Sequence, residues 1–413
     1  MSNVTLTIDG RSVEVPAGTG LVEAAASAGI EIPVFCYEPR LGAPVGACRM
    51  CLVEVEGARG LQAACAMTAN EGMVVSTQSE AARDAQESVL EFLLINHPLD
   101  CPVCDKGGEC PLQDHAYRWG PGSSRFTELK RNNDKPIPIS PLIALDRERC
   151  ILCYRCTRFS SDVSGDNQLI ARERGANAVI ATFEGRPYSG HFSGNIIELC
   201  PVGALTSTEY RFKARPWEAP DHPTVCTLCP VGCNTYSTVR EGEVVRMLAR
   251  ENAEVENGWL CDRGRFSYTS LYADGRIMRP YEQSGRGRPI GNRPRTDVSH
   301  EVAMEWLHER LIGNDAALWL LSGTETLEEA WAIQQLAGVT GGRVAAIEGA
   351  SAALPQAGAT IADVSAARHI MVVGDADLAD VAPILDLRVR EAMREGARVT
   401  VVGMGGSRLE LAG

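Results

Sequence analysis

The sequence predicts a multidomain α+β fold. Three observations carry that expectation: a strand–turn–strand–helix opening, a long middle region in which cysteines fall into tight groups separated by prolines, and a cysteine-free final stretch where helical and strand patterns alternate. At 413 residues the chain is also too long for one ordinary hydrophobic core.

Residues 4–8 alternate apolar and polar side chains, Asp9-Gly10 is a hairpin turn, and residues 12–15 read as the return strand. Residues 20–30 read as a helix, and residues 53–56 and 73–76 as later strands, which together make a β-grasp unit over 1–78. Residues 79–96 form a helical stretch with Val89, Leu90, Leu93 and Leu94 along one stripe. Pro98 ends it and leaves His97 at the exit. Residues 98–125, rich in Gly, Pro and Cys, are expected to be a loop held by something other than an apolar core, within a unit spanning 79–131. Pro136, Pro138 and Pro141 mark a linker over 132–142, and Pro216, Pro220 and Pro223 mark a second joint. Cysteine-rich units are therefore expected at 143–215 and 222–275. In the last segment, 276–413, helical patterns at 298–312, 327–337 and 384–395 alternate with short apolar strands at 317–321, 369–373 and 399–402. That rhythm implies a parallel α/β sheet.

Hydrophobic residues at 45% and charged residues at 23% are ordinary for a globular protein. A net charge of −13 and a pI near 5.2 argue against a general nucleic-acid binder or a basic membrane-surface anchor. The first residues lack a basic, then apolar, secretory pattern, and no run approaches the roughly 18 apolar residues of a spanning helix. An intracellular chain without its own membrane span is expected. Fifteen cysteines in such a chain point to metal binding rather than to disulfides.

The first group is Cys36, Cys48, Cys51 and Cys65, with gaps of 11, 2 and 13 residues. Four thiolates behind a β-grasp opening suit a 2Fe-2S cluster, with Gly42, Gly46 and Ala47 keeping the loop small. The second group, Cys101, Cys104 and Cys110, has only three thiols, so a 4Fe-4S cubane needs another ligand. His97 lies four residues upstream; His115 follows Cys110 by five. A Cys3His zinc site is the alternative. The third group, Cys150-x2-Cys153-x2-Cys156 with a distant Cys200-Pro201, is half of a two-cluster ferredoxin pattern. Ser160 stands where the run's fourth cysteine would be, so one cubane is complete and a second cannot form. The fourth group, Cys226-x2-Cys229-x3-Cys233 and then Cys261, again supplies four ligands, with zinc as the bland alternative. All fifteen cysteines are thereby assigned.

In these spacings the chain resembles, over about residues 1–275, the G-subunit family of bacterial NADH-quinone oxidoreductases, the large iron–sulfur subunits of respiratory complex I. From 276 onward it resembles the start of the molybdopterin-oxidoreductase-type domain attached to that subunit, with weaker motifs. The resemblance implies one 2Fe-2S and three 4Fe-4S clusters, no molybdopterin, and no catalytic site of the chain's own. It implies a peripheral position on the cytoplasmic face of the membrane, among a flavin- and NADH-binding subunit and downstream iron–sulfur and quinone-module subunits. It implies that electrons from NADH pass toward quinone through the His97 and Cys150 groups, with the Cys226 group off the main path. Members of the family usually continue well beyond residue 413, so a fragment or short variant is expected. Gly403-Met-Gly-Gly is not a dinucleotide fingerprint, so NADH is expected to bind elsewhere. The electron-transfer part of an NAD-linked formate dehydrogenase or of a hydrogenase is the nearest rival, and a zinc-stapled interaction protein the rival from another class.

Overall fold

A computed structural model describes residues 2–284, 294–312, 317–322, 325–346, 358–374, 376–403 and 409. The opening hairpin forms as expected: β1 (Asn3–Ile8) pairs antiparallel with β2 (Arg11–Pro16) around Asp9-Gly10. The helix α1 (Leu21–Ser27) is shorter than its pattern suggested. Gly29 adopts φ of +70°, a left-handed conformation that ends the helix and turns the chain toward Cys36. Strands β3 (Leu52–Val55), β4 (Gln62–Ala63) and β5 (Val74–Ser76) complete a five-stranded sheet in the order β2-β1-β5-β3-β4. Leu6, Ile8, Val13, Val15, Leu21 and Val53 fill the core between this sheet and α1.

Helix α2 (Glu80–Ile95) starts at Ser79, whose hydroxyl accepts from the Ala82 amide. It buries Leu90 completely. The stretch expected to be all loop contains a helix, α3 (Pro111–Trp119). Pro111 sits in its first turn, where its missing N–H costs nothing and its fixed φ suits a helix. The expected linker carries a short strand, β6 (Ile137–Pro138), which pairs with β7 (Ile143–Leu145).

Then follow α4 (Arg155–Arg158), the hairpin of β8 (Leu169–Arg172) and β9 (Val179–Thr182), α5 (Asn195–Leu199) and β10 (Leu205–Ser207). Strand β10 returns antiparallel to β7, so the segment ends beside its beginning and brings Cys200 back to the Cys150 loop. A three-stranded antiparallel sheet of β11 (Asp221–Val225), β12 (Asn234–Arg240) and β13 (Glu243–Ala249) precedes α6 (Asp262–Phe266). One apolar cluster runs from Phe35 and Leu41 through Leu90, Ile143, Phe159 and Ile196 to Trp259 and Leu260, so the cysteine-bearing segments share a core.

The hairpin β14 (Tyr281–Gln283) and β15 (Arg295–Asp297) leads to α7 (His300–Leu311), β16 (Leu318–Leu321), α8 (Leu327–Thr340), β17 (Arg343–Ala346), α9 (Ile361–Ser365), β18 (His369–Val373), α10 (Leu378–Val381), α11 (Pro383–Arg394) and β19 (Arg398–Val402). The last four strands pair in parallel, as the rhythm implied. Among the described residues they form two separate pairs, β16 with β17 and β18 with β19, rather than one sheet. Residues 404–406 of the Gly403-Met-Gly-Gly segment lie outside the described residues. Among the described residues no helix is long and apolar enough to cross a membrane.

Candidate metal centres

The first four thiols sit at one end of the β-grasp sheet. Cys36 follows α1, Cys48 and Cys51 flank the turn into β3, and Cys65 follows β4. Gly46 takes φ of +57°, which lets the loop fold tightly before Cys48. The Cys36 amide donates to Cys48 Sγ at 3.5 Å. Hydrogen bonds from Cys48 and Cys65 hold the Cys36 thiol far below the usual thiol range, while the same contacts push Cys48 and Cys65 up. Cys51 is held low by Cys65. These contacts link the sulfurs in the order Cys48, Cys36, Cys65 and Cys51.

The second group is built around a cavity of about 500 Å³. His97, Cys101, Cys104 and Cys110 all line it, together with Arg149 and Gly203. His97 is held at the end of α2, where its amide donates to the Leu94 carbonyl at 3.2 Å. Burial and then the Arg149 charge pull its imidazole down to about 4, so it is neutral, the form that ligates metal. Burial raises the Cys104 and Cys110 thiols, and Cys101 is exposed at the rim. His115 turns the other way: its Nε2 lies 3.2 Å from the Val34 carbonyl and its ring packs on Phe35 and Trp119.

In the third group Cys153, Cys156 and Cys200 are buried. Burial pushes Cys150 and Cys153 up to about 12, with Cys200 adding repulsion to both. Cys156 is raised by burial and by all three of the others, which marks the four as neighbours. The spacer residues Leu152 and Tyr154 have φ of 51° and 62°, a strained conformation for non-glycine residues. Spacing alone did not reveal this. It lets the loop wrap inward, with the Leu152 amide donating to Cys150 Sγ at 3.4 Å. Ser160 is fully buried, accepts from the Gln168 amide at 2.9 Å and the Leu169 amide at 3.2 Å, and donates to Asp166. These bonds close the turn from Ser160 to Leu169.

In the fourth group the Cys226 amide donates to the Cys233 carbonyl at 2.8 Å and closes the knuckle between β11 and β12. Cys261 caps α6, its sulfur accepting from the Gly264 amide at 3.4 Å. Burial raises Cys233, with Cys261, Cys226 and Cys229 adding repulsion.

Arginines lock these loops together. Arg158 reaches the Leu41 and Ala43 carbonyls, both at 2.7 Å, and Arg155 reaches the Tyr37 carbonyl, so α4 grips the loop between Cys36 and Cys48. Arg40 reaches the Gly258 carbonyl at 3.1 Å and stacks over Trp259 at 4.7 Å. Asp262 accepts the Ser193 and Gly194 amides at 3.1 and 2.7 Å.

Among the described residues no three His, Cys, Asp or Glu side chains converge as a site for a single metal ion. The second group's cavity has room for a group of several atoms, and three thiols and a neutral imidazole are among the residues that line it. Thiols that burial keeps protonated, with amides aimed at sulfur, suit a cationic cluster that deprotonates them.

Four family models match the chain. Residues 1–80 match a 2Fe-2S iron-sulfur cluster binding domain and residues 86–125 an NADH-ubiquinone oxidoreductase-G iron-sulfur binding region. Residues 140–206 match the ferredoxin-like domain of NADH-quinone oxidoreductase subunit 3, and 221–273 a molybdopterin oxidoreductase Fe4S4 domain. The NADH-quinone oxidoreductase G subunit of Streptomyces coelicolor is 45% identical over 339 residues, covering 81% of this chain and 39% of that protein. That of Mycobacterium bovis is 44% identical over 406 residues, covering 95% of this chain and 50% of that protein. The chain belongs to the G-subunit family of NADH-quinone oxidoreductases. A third member, from Rickettsia bellii, is 43% identical over 279 residues, covering 67% of this chain and 40% of that protein. The chain thus spans half or less of the length of these G-subunit relatives. A solved chain of an NAD+-reducing [NiFe]-hydrogenase aligns at 33% identity and a TM-score of 0.47, covering 52% of this chain and 91% of that one.

Proposed function

We propose that this chain is an electron-transfer subunit of an NADH-quinone oxidoreductase that holds one 2Fe-2S and three 4Fe-4S clusters. Cys36, Cys48, Cys51 and Cys65 would hold the 2Fe-2S cluster. The cubanes would be held by His97, Cys101, Cys104 and Cys110; by Cys150, Cys153, Cys156 and Cys200; and by Cys226, Cys229, Cys233 and Cys261. The units that carry them are 1–78, 79–131, 143–215 and 222–275, with an α/β segment over 276–413 that is not expected to carry molybdopterin. The observation that carries this reading is the cavity where His97 meets Cys101, Cys104 and Cys110, a four-donor set completed by a residue outside the cysteine pattern.

When bound, such clusters supply one-electron transfer. The chain's own residues do the rest. Burial of most of the thiols limits water access, and backbone amides donate to sulfur, which favours the reduced, more negative state. Neutral His97 brings no negative charge, so its centre should have a higher potential than one with four thiolates. Arg149 presents a buried cation to the same cavity.

On this reading electrons from NADH arrive through a flavin-bearing partner and leave toward quinone through further iron–sulfur and quinone-module partners. Proton translocation belongs to the whole complex. The chain lies peripherally, on the cytoplasmic face of the membrane. The G-subunit relatives support this assignment. The test is an anaerobic electron paramagnetic resonance (EPR) titration. Dithionite is expected to reveal one 2Fe-2S signal and distinct 4Fe-4S signals, and NADH to reduce them only when a flavin-bearing NADH-oxidising partner is added. A sample with no paramagnetic centres, or one that NADH reduces unaided, contradicts the proposal.

A further inference from the structure

We propose that Gly203 is a positioning residue for the second centre, its missing side chain leaving the space that the Cys104 sulfur occupies. The proposal rests on the ligand set assigned above. Gly203 belongs to the turn that follows Cys200, the last thiol of the third group, yet its closest neighbour comes from the second. A β-carbon built on Gly203 would lie 2.0 Å from Cys104 Sγ, while Arg149 Cδ and Lys106 Cβ would be at an ordinary 3.5 Å. The backbone of Gly203 is not left-handed, so its conformation would accept any L residue. Space, rather than backbone geometry, excludes a side chain there.

The same turn touches the second group again, where the Pro201 carbonyl lies 3.8 Å from Cys110 Sγ. Arg149 braces the contact. Its Nη1 lies 3.5 Å from the Gly203 carbonyl, while its Nε and Nη2 donate to Asp100, beside Cys101, at 3.0 and 2.8 Å. The turn after Cys200 is therefore seated against two of the three thiols of the neighbouring group.

The chemistry of Cys104 decides what a side chain at 203 does. A free thiol has one rotatable bond and can swing away from an added methyl group at little cost. A sulfur bonded to iron is fixed by the cluster and cannot. Gly203→Ala should thus act through Cys104, and only when Cys104 is a ligand.

The experiment compares anaerobically prepared full-length chains by iron content and EPR. Gly203→Ala is expected to lose the second centre's signal and about four irons, and to keep the 2Fe-2S signal. Gly190→Ala, whose added carbon meets nothing nearer than Asp166 Oδ2 at 3.8 Å, is expected to keep every signal. Because Cys104→Ala empties the contested space, Cys104→Ala/Gly203→Ala should match Cys104→Ala alone, even if Gly203→Ala by itself fails to fold. Losses that add in the double variant overturn the proposal, as does an iron-replete Gly203→Ala with an unchanged second centre. Loss of only the third centre also overturns it. An iron-poor wild-type chain is a separate result that removes the ligand set itself and this proposal with it.

Discussion

The first and second thiol groups solve the same problem in opposite ways. The first is attached to a sheet and helix with their own apolar core, and Cys51 and Cys65 are part of that core. Its thiols are free and already hydrogen-bond to one another. The second has little core of its own. Its donors line a cavity walled mostly by residues 94–122, and one side of that wall is borrowed: Arg149 and Gly203 from the segment around the third group. Lys130 closes the end of α2 by donating to the Leu94 and Ile95 carbonyls at 2.8 and 2.9 Å. The comparison teaches that a thiol site can be stabilised either by the fold beneath it or by what it binds and touches.

The largest expected effect comes from withholding iron. Residues 97–125 should then lose amide protection from hydrogen exchange, while β1, β2 and β5 keep theirs, because metal binding and folding are linked where no core stands alone. Equal loss in both regions would erase the distinction. Next is His97→Ala, expected to disturb one cubane of about four irons and leave the 2Fe-2S signal intact. His97→Cys should retain those irons at a lower potential, since a thiolate adds negative charge; potentiometry with EPR detection reads the shift.

A smaller effect is expected at the junction between groups. Arg158→Met leaves the Leu41 and Ala43 carbonyls without their donor and should cost about 1–3 kcal/mol in chemical unfolding. Smaller still is Glu38→Gln. Burial pushes the Glu38 carboxyl up, but Arg40 at 2.8 Å and Arg155 at 4.0 Å outweigh it and hold the group below its ordinary value of 4.5. A depressed folded value means the stabilisation is present above that pH and is lost as pH falls through the lower folded value. The stability gap between wild type and Glu38→Gln should therefore shrink in acid; a gap that widens below pH 4.5 contradicts the pairing.

Much of the grouping of the thiols was legible in the sequence because it is local. Pairs such as Cys48 and Cys51, or Cys150 and Cys153, sit at a spacing that a single tight loop can close. The β-grasp opening and α2 were legible from period and punctuation, and Ser160 was legible as a position without a thiol. Helix α3 was missed because Pro111 and the glycines before it suggested a loop, although proline is well suited to a first helical turn. The left-handed Leu152 and Tyr154 carry no residue-type signal. The contact of Gly203 with Cys104, and the reach of Arg155 and Arg158 to the first group's loop, depend on tertiary packing between residues far apart in sequence. No local pattern encodes them. The split of the final strands into two parallel pairs was likewise invisible to an alternation that gives strand type but not neighbours.

The central claim is that fifteen thiols and one imidazole are arranged to hold iron–sulfide clusters. Its most direct test is a count of iron, acid-labile sulfide and zinc in the chain purified without oxygen. About fourteen irons with matching sulfide, two from the 2Fe-2S cluster and twelve from three cubanes, is the expected result. A protein rich in zinc and nearly free of iron and sulfide would contradict it.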